Sequence, residues 1–313
     1  MLPQKFIDRF SIIFPEAKDL SQIFAEKLPV FRINSLKTDL DFVVTKLKID
    51  GFDLEGVPWS DLAFILKNKT KRDLLNHELC KTHLIYVQSL ASQIPPLVLD
   101  PRPGEKVLDL TAAPGSKTSQ IAALMKCQGE LIANDVSRTR FFKLKNILQN
   151  LGVNSCNPRF LSLRMEDGSR LCRESPEFFD RILLDAPCSG EARFRINDPK
   201  SVGFWNEKKI KSLAQKQRRL ILSAWGALKP GGTLVYSTCT FAPEENEVLI
   251  SNFLKKVGDQ AKVEKVELSN LQTIKVLEEW KGKLISTEVK NCIRIKPSNT
   301  IEGFFVAKIN KIK

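Results

Sequence analysis

Apolar positions in the first third of the chain recur at helical spacing over 6–14, 20–27 and 40–48, and short extended-type runs such as 28–34 and 63–66 lie between them. After Pro95-Pro96 and the turn Asp100-Pro101-Arg102-Pro103-Gly104 the rhythm changes. Apolar runs over 107–110, 131–134, 160–163, 182–184 and 234–237 predict strands, and 119–125, 138–151 and 246–255 predict helices. A turn is expected at Lys229-Pro230-Gly231-Gly232 and a late strand over 304–309. Strands alternating with helices predict an α/β, doubly wound, mostly parallel Rossmann-like sheet over 96–313, preceded by a smaller α+β domain over 1–95. In such a sheet the ligand crevice lies just past the carboxyl ends of the strands, so the residues following each strand are where chemistry is expected.

Two of those positions carry a thiol. Arg181-Ile182-Leu183-Leu184 leads into Asp185-Ala186-Pro187-Cys188-Ser189-Gly190, and Thr233-Leu234-Val235-Tyr236 leads into Ser237-Thr238-Cys239-Thr240. A third strand end leads into Leu110-Thr111-Ala112-Ala113-Pro114-Gly115-Ser116-Lys117-Thr118. Its small residues permit close backbone approach, and the helix behind them presents free N–H groups. It has neither the G-x-G-x-x-G spacing of dinucleotide sites nor the G-K-[ST] ending of a phosphate loop. Asp135 follows the second strand about 20 residues on, where a carboxylate can take ribose hydroxyls. Asp167 follows the third strand, suited to an adenine amine or, alternatively, to a plain Asp-Gly turn.

Composition narrows the classes. The chain has 313 residues, 42% of them hydrophobic and 27% charged, which are globular values, and no apolar run approaches the roughly 20 residues of a membrane span. Seven cysteines without close pairs argue against a disulfide scaffold and for a reducing, cytoplasmic setting. His77, Cys80 and His83 recur every three residues; each step slips about 60° around a helix and no fourth ligand is near, so they read as helix residues and no metal is expected. The net charge of +13 is uneven: residues 1–95 hold 13 Lys/Arg against 12 Asp/Glu. Over 191–220, nine basic residues (Arg193, Arg195, Lys200, Lys208, Lys209, Lys211, Lys216, Arg218, Arg219) face three acids. Beginning directly after the Cys188 loop, this run predicts a basic rim, with Phe194, Phe204 and Trp205 as stacking surfaces for nucleic acid.

These motifs resemble the RNA (cytosine-C5)-methyltransferases of the Sun/Fmu type. The resemblance covers nearly the whole chain: Arg32-Ile33-Asn34 with Leu36-Lys37, Gln88-Ser89-Leu90-Ala91-Ser92 with Pro101-Arg102-Pro103-Gly104, the 112–118 loop, the two cysteine loops and Pro243-Glu244-Glu245-Asn246. It implies S-adenosylmethionine as cofactor and an RNA substrate, ribosomal or transfer RNA, acted on by a monomer. By the same resemblance Thr111, Ala112, Ala113, Pro114, Gly115, Ser116, Lys117, Asp135, Asp167 and Asp185 contact the cofactor or sit beside it, with Arg140 counted among them. Cys239 is then the nucleophile, Cys188 assists release, and Asp185 serves the base. Thr111, Ser116 and Ala192 depart from the family's usual residues.

The chemistry suits the residues, since carbon 5 of cytosine becomes nucleophilic only after a group such as a thiolate adds to carbon 6. A helix dipole from near Pro243 is expected to favour the Cys239 thiolate. A DNA cytosine methyltransferase would use the Pro187-Cys188 thiol and leave Cys239 unexplained. An amino-methyltransferase should have an aromatic beside that proline, where Cys188-Ser189 has none. A non-catalytic RNA-binding factor would have no need of both thiols.

Overall fold

The structure is a computed structural model that describes every residue except Met1, Lys18, Phe204 and Lys313. Helices α1 (Gln4–Ile13) and α2 (Leu20–Ile23) open the chain. A small antiparallel sheet follows in the order β2 (Leu54–Val57), β3 (Ser60–Leu66), β1 (Val30–Ile33), β4 (Ile85–Val87). Helices α3 (Leu40–Ile49), α4 (Lys71–Asn76) and α5 (Glu78–Lys81) complete this unit. Phe31, Ile33, Val43, Leu47, Leu66 and Ile85 are buried in its core.

The larger sheet is built on five parallel strands in the order β7 (Leu161–Arg164), β6 (Glu130–Asn134), β5 (Lys106–Asp109), β8 (Phe179–Asp185), β9 (Leu228–Thr238). The near-continuous apolar strands are those expected of a sheet covered on both faces. Helices α6 (Leu90–Leu99), α7 (Ser116–Leu124), α8 (Arg138–Asn150), α9 (Gly168–Arg173), α10 (Glu207–Ala227) and α11 (Glu247–Val257) supply that cover. The carboxyl-side strands extend the sheet: β10 (Ala261–Glu264), β11 (Thr273–Ile274), β14 (Ile293–Ile295) and β15 (Phe304–Lys311), with a separate hairpin β12 (Glu279–Trp280) and β13 (Lys283–Leu284). The late strand β15 pairs antiparallel with β9, Phe305 opposite Thr238. Five parallel strands with helices on both faces make this the α/β, mostly parallel, Rossmann-like sheet that the sequence predicts.

Several local expectations need correction. Residues 229–232 are a kinked part of β9 rather than a separate turn; Gly231 sits at φ +81° and the pairing with β8 shifts register there. Helix α2 stops at Ile23, whose carbonyl accepts from Lys27 Nζ at 2.7 Å. His77 and His83 are not helix interior residues: His77 caps α5 and bonds Asp50 at 2.9 Å, and His83 lies in the turn after it at φ +60°. Cys127 and Cys156, 29 residues apart, form one disulfide that the spacing of the cysteines does not suggest, because the segments after α7 and α8 come together.

The division at residue 95 does not match the packing either. Pro95 and Pro96 lie inside α6, which rests on β8 and β9. The first two helices pack with the larger unit, not the smaller one. Phe6, Phe10 and Phe24 form one edge-to-face cluster with Phe194, Trp205 and Phe241, and Arg9 pairs with Glu244 at 2.7 Å. Aromatic side chains carry the largest buried area per residue, so these contacts outweigh sequence proximity.

Candidate active site

At the carboxyl edge of the parallel strands, the loops after β5, β8 and β9 enclose a cleft of about 550 Å³. Cys188 and Cys239 face each other in it with their sulfurs 3.4 Å apart. Both loops are pinned from behind. Glu245, fully buried, accepts from the Ser189 N–H at 3.1 Å and from Gln217 Nε2 at 2.6 Å, and Gln217 also donates to the Pro187 carbonyl. Glu191, likewise buried, accepts from Trp205 Nε1, the Thr240 hydroxyl and the Phe241 N–H. A hydroxyl pair, Ser189 with Thr240 at 2.6 Å, ties one loop to the other. Buried carboxylates cost less when every oxygen is bonded, and this pair uses that bonding to fix the sulfur separation.

The thiols are not equivalent. Cys239 is lowered to about 7, first because Cys188 donates its S–H to it, then because the Arg193 guanidinium and Lys117 ammonium favour the thiolate; burial and Asp185 oppose this. The same hydrogen bond, followed by burial, pushes Cys188 well up. The expected dipole from Pro243 is not the cause. A short 3-10 turn occupies 243–245, α11 begins at Glu247, and Glu245 points inward with its own carboxyl pushed up to about 7 by burial.

Asp185, the last residue of β8, is ion-paired with Lys117 at 2.7 Å and accepts from the Ser237 hydroxyl at 2.8 Å. Lys117 also donates to Ser92 at 2.8 Å, so it faces the Asp185 carboxylate rather than standing with the loop backbone as a simple cofactor contact. Thr111 donates to the Asp185 carbonyl, and Ala112, Ala113, Pro114 and Ser116 line the same cleft. Gly115 caps α7 at φ +111°; a Cβ there would lie 3.0 Å from Leu144, so close helix packing and backbone conformation both call for glycine.

The remaining expected residues divide. Asp135, just past β6, is buried; its Oδ1 accepts the Ser137 N–H, and Arg140 lies 3.3 Å from Oδ2 while donating to the Ala113 carbonyl at 2.5 Å. Arg140 therefore links Asp135 to the loop. Asp167 is exposed and caps α9, accepting from the Ser169 and Arg170 N–H groups, the turn role that was its alternative. It does not line the cleft. The basic rim is present only in part. Arg193 lines the cleft, and Lys208, Lys209, Lys211, Lys216, Arg218 and Arg219 are exposed along α10. The stacking surfaces are not available: Phe194 is buried against Phe6, and Trp205 sits edge-on to Phe6 with its N–H on Glu191. Phe204 lies outside the described residues.

Sequence reasoning missed Asp109, Glu191 and Glu245, and counted Arg193 only as rim. Asp109 ends β5, so the strand-end rule alone could have found it. Burial pushes its carboxyl up to about 7, and Thr118 donates to Oδ2. Asp109 Oδ1 and Asp135 Oδ2 are both buried without a hydrogen-bond partner. Two orphaned acceptors at adjacent strand ends fit a ligand that brings its own donors, an ammonium for one and ribose hydroxyls for the other.

The family model described as 16S rRNA methyltransferase RsmB/F matches residues 96–310. A tRNA (cytosine(49)-C(5))-methyltransferase of Pyrococcus abyssi is 39% identical over 312 residues, covering 98% of this chain and 96% of that protein. Ribosomal RNA small subunit methyltransferase F of Vibrio atlanticus is 35% identical over 319 residues, covering 99% of this chain and 64% of the relative, so the chain spans just under two thirds of that longer protein. The crystal structure of a methyltransferase homologue from Pyrococcus horikoshii superposes with a TM-score of 0.82 at 33% identity, covering 99% of this chain and 95% of that one. With the cleft, the paired thiols and these matches together, the chain belongs to the RsmB/F family of methyltransferases.

Proposed function

We propose that this methyltransferase modifies carbon 5 of a cytosine in structured ribosomal or transfer RNA, with S-adenosylmethionine as methyl donor and a covalent Cys239–carbon 6 adduct as intermediate. The observation that carries this reading is the facing pair of thiols, 3.4 Å apart, beside the Asp185–Lys117 ion pair. The names of the relatives, which act on cytosine in tRNA or on small-subunit rRNA, support the substrate class. S-adenosylmethionine brings an electrophilic methyl group. Asp135 is assigned to its ribose, Asp109 to its amino group, and the 111–117 loop with Arg140 to the wall around it; Asp167 is kept only as an outer contact.

The residues then divide the work. Cys239 enters as thiolate, favoured by the Cys188 hydrogen bond and by Arg193, and its sulfur bonds carbon 6. Asp185, oriented by Lys117 and Ser237, accepts from the exocyclic amine of the cytosine, and a proton shared between its carboxyl and N3 steadies the charge that builds on the ring. Carbon 5 takes the methyl group and still carries its hydrogen. Once Cys239 is bonded to carbon 6, Cys188 gives its own proton to water and then, as thiolate, removes that hydrogen as a proton, or it positions a water that does so; its raised pKa makes it the stronger base of the two sulfurs. The electron pair from the carbon 5–hydrogen bond restores the double bond, the carbon–sulfur bond breaks, and Cys239 leaves as thiolate.

The test separates the thiols. Cys239→Ala abolishes methylation and any covalent RNA complex. Cys188→Ala slows attack, because the hydrogen bond that favours the Cys239 thiolate is gone, but slows release more, so an adduct accumulates that survives denaturing electrophoresis, as the unaltered protein should on 5-fluorocytosine RNA. An adduct with Cys239→Ala and none with Cys188→Ala would reverse the roles.

A further inference from the structure

A second, smaller cleft of about 250 Å³ adjoins the cysteine cleft, where the N-terminal unit meets the larger one. Lys27, Lys71, Arg195 and Ser89 line it, with Glu302 inside and Glu26 on its exposed edge. Its cations are poorly neutralised. Lys27 is half-buried, and its ammonium reaches only the Ile23 carbonyl; the ion pairs among the described residues include none for it. Arg195 gives one amino group to the Phe194 carbonyl and lies 3.5 Å from Glu302 through the other. Burial, and then the charge of Arg195, push Lys27 down to about 8, with Glu302 opposing. Two cations are thus held together at a cost that an added anion would relieve.

The placement says which anion. Ser89 and Ser92 sit on the first turn of α6, Ser89 as its N-cap; Ser92 faces the cysteine cleft through Lys117, and Ser89 faces this one. Arg193 and Arg195 repeat that division, one in each cleft, and two residues of chain reach at most about 7 Å. The two clefts therefore open off neighbouring residues of the same two segments, so one strand can pass both. The volume equals roughly eight waters, room for a phosphodiester with part of its ribose. Cations and a hydroxyl hold a phosphate but carry no base-reading pattern.

We propose that the cleft between Lys27, Lys71 and Arg195 is a backbone-phosphate subsite that grips the RNA strand near the target cytosine, an inference that rests on the RNA reading above. It positions the strand and contributes no sequence preference.

The test uses the full chain and a fluorescein-labelled single-stranded RNA of mixed sequence containing one cytosine, with binding followed by anisotropy across salt concentrations. Lys27→Met with Arg195→Gln should weaken binding about tenfold and flatten the slope of log affinity against log salt by about 0.7 per lost contact. S-adenosylmethionine affinity and melting temperature should not move, and Lys27→Arg alone should bind like the unaltered protein. Replacing the phosphodiesters within about three nucleotides of the cytosine one at a time with neutral methylphosphonates should weaken the unaltered protein at one position and leave the double variant unaffected there. Unchanged affinity and slope in a folded double variant would overturn the subsite. Methylation by the unaltered protein, run in parallel, reports on the cytosine reading separately, because binding is measured without turnover.

Discussion

Cys188 and Cys239 share one hydrogen bond across 3.4 Å, and that contact makes one sulfur more acidic and the other less. The pair therefore has a built-in direction. Cys239 is lowered, so its thiolate is present above about pH 7 and lost as pH falls through that value. Alkylation of Cys239 by iodoacetamide, without RNA, should rise about tenfold per unit below pH 7 and level off above it. In Cys188→Ala the donor is gone and the inflection should move upward. An inflection that stays put would assign the acidity to Arg193 and Lys117 instead.

Asp135→Ala removes the carboxylate with the orphaned oxygen beside Arg140. Its charge-assisted bonds to ribose hydroxyls should be worth about 1.5–3 kcal/mol of S-adenosylmethionine binding. Calorimetric titration checks this, and unchanged affinity would remove Asp135 from the site. Asp167→Ala should cost the α9 cap, about 1 kcal/mol of stability, with little loss of cofactor affinity.

Glu245 predicts a pH dependence of stability. Burial raises its folded carboxyl to about 7, above the ordinary carboxylate range, so the folded chain binds the proton more tightly than the unfolded one between those values. Its contribution favours folding at low pH and declines as pH rises through about 7. Glu245→Gln should flatten that decline in melting temperature between pH 5 and 8. Because Glu245 also pins the Cys188 loop through Ser189, the variant should lower kcat more than it changes cofactor affinity.

Lys208, Lys209 and Lys211 lie exposed on the first turns of α10. Neutralising all three should weaken RNA binding and reduce its salt slope, with S-adenosylmethionine binding unchanged. A slope that does not change would make them an ordinary solvated helix face.

What could be read from the sequence was what local signals encode. The strand ends at Asp109, Asn134, Asp185 and Thr238 follow apolar runs, and the small-residue loop and two Cys loops stand directly after such ends. What could not be read depends on partners far along the chain. Lys117 turns to Asp185, 68 positions on, and Glu191 and Glu245 are bonded by Trp205, by Gln217 of α10 and by groups of the opposite Cys loop. Phe194 and Trp205 look like stacking surfaces in a basic run, yet α1 arrives from the far end of the chain and covers them. No periodicity reports a contact such as Arg9 with Glu244, 235 residues apart.

That last contact bears on how the molecule is made. In synthesis α1 emerges with Phe6 and Phe10 bare, and Phe241, which receives the Phe10 ring, comes more than two hundred residues later. The strand that leads into Cys239 then waits in turn for β15, its antiparallel neighbour. An emerging chain therefore holds a greasy leading helix with nowhere to dock through most of translation, a window in which a chaperone would compete with self-association.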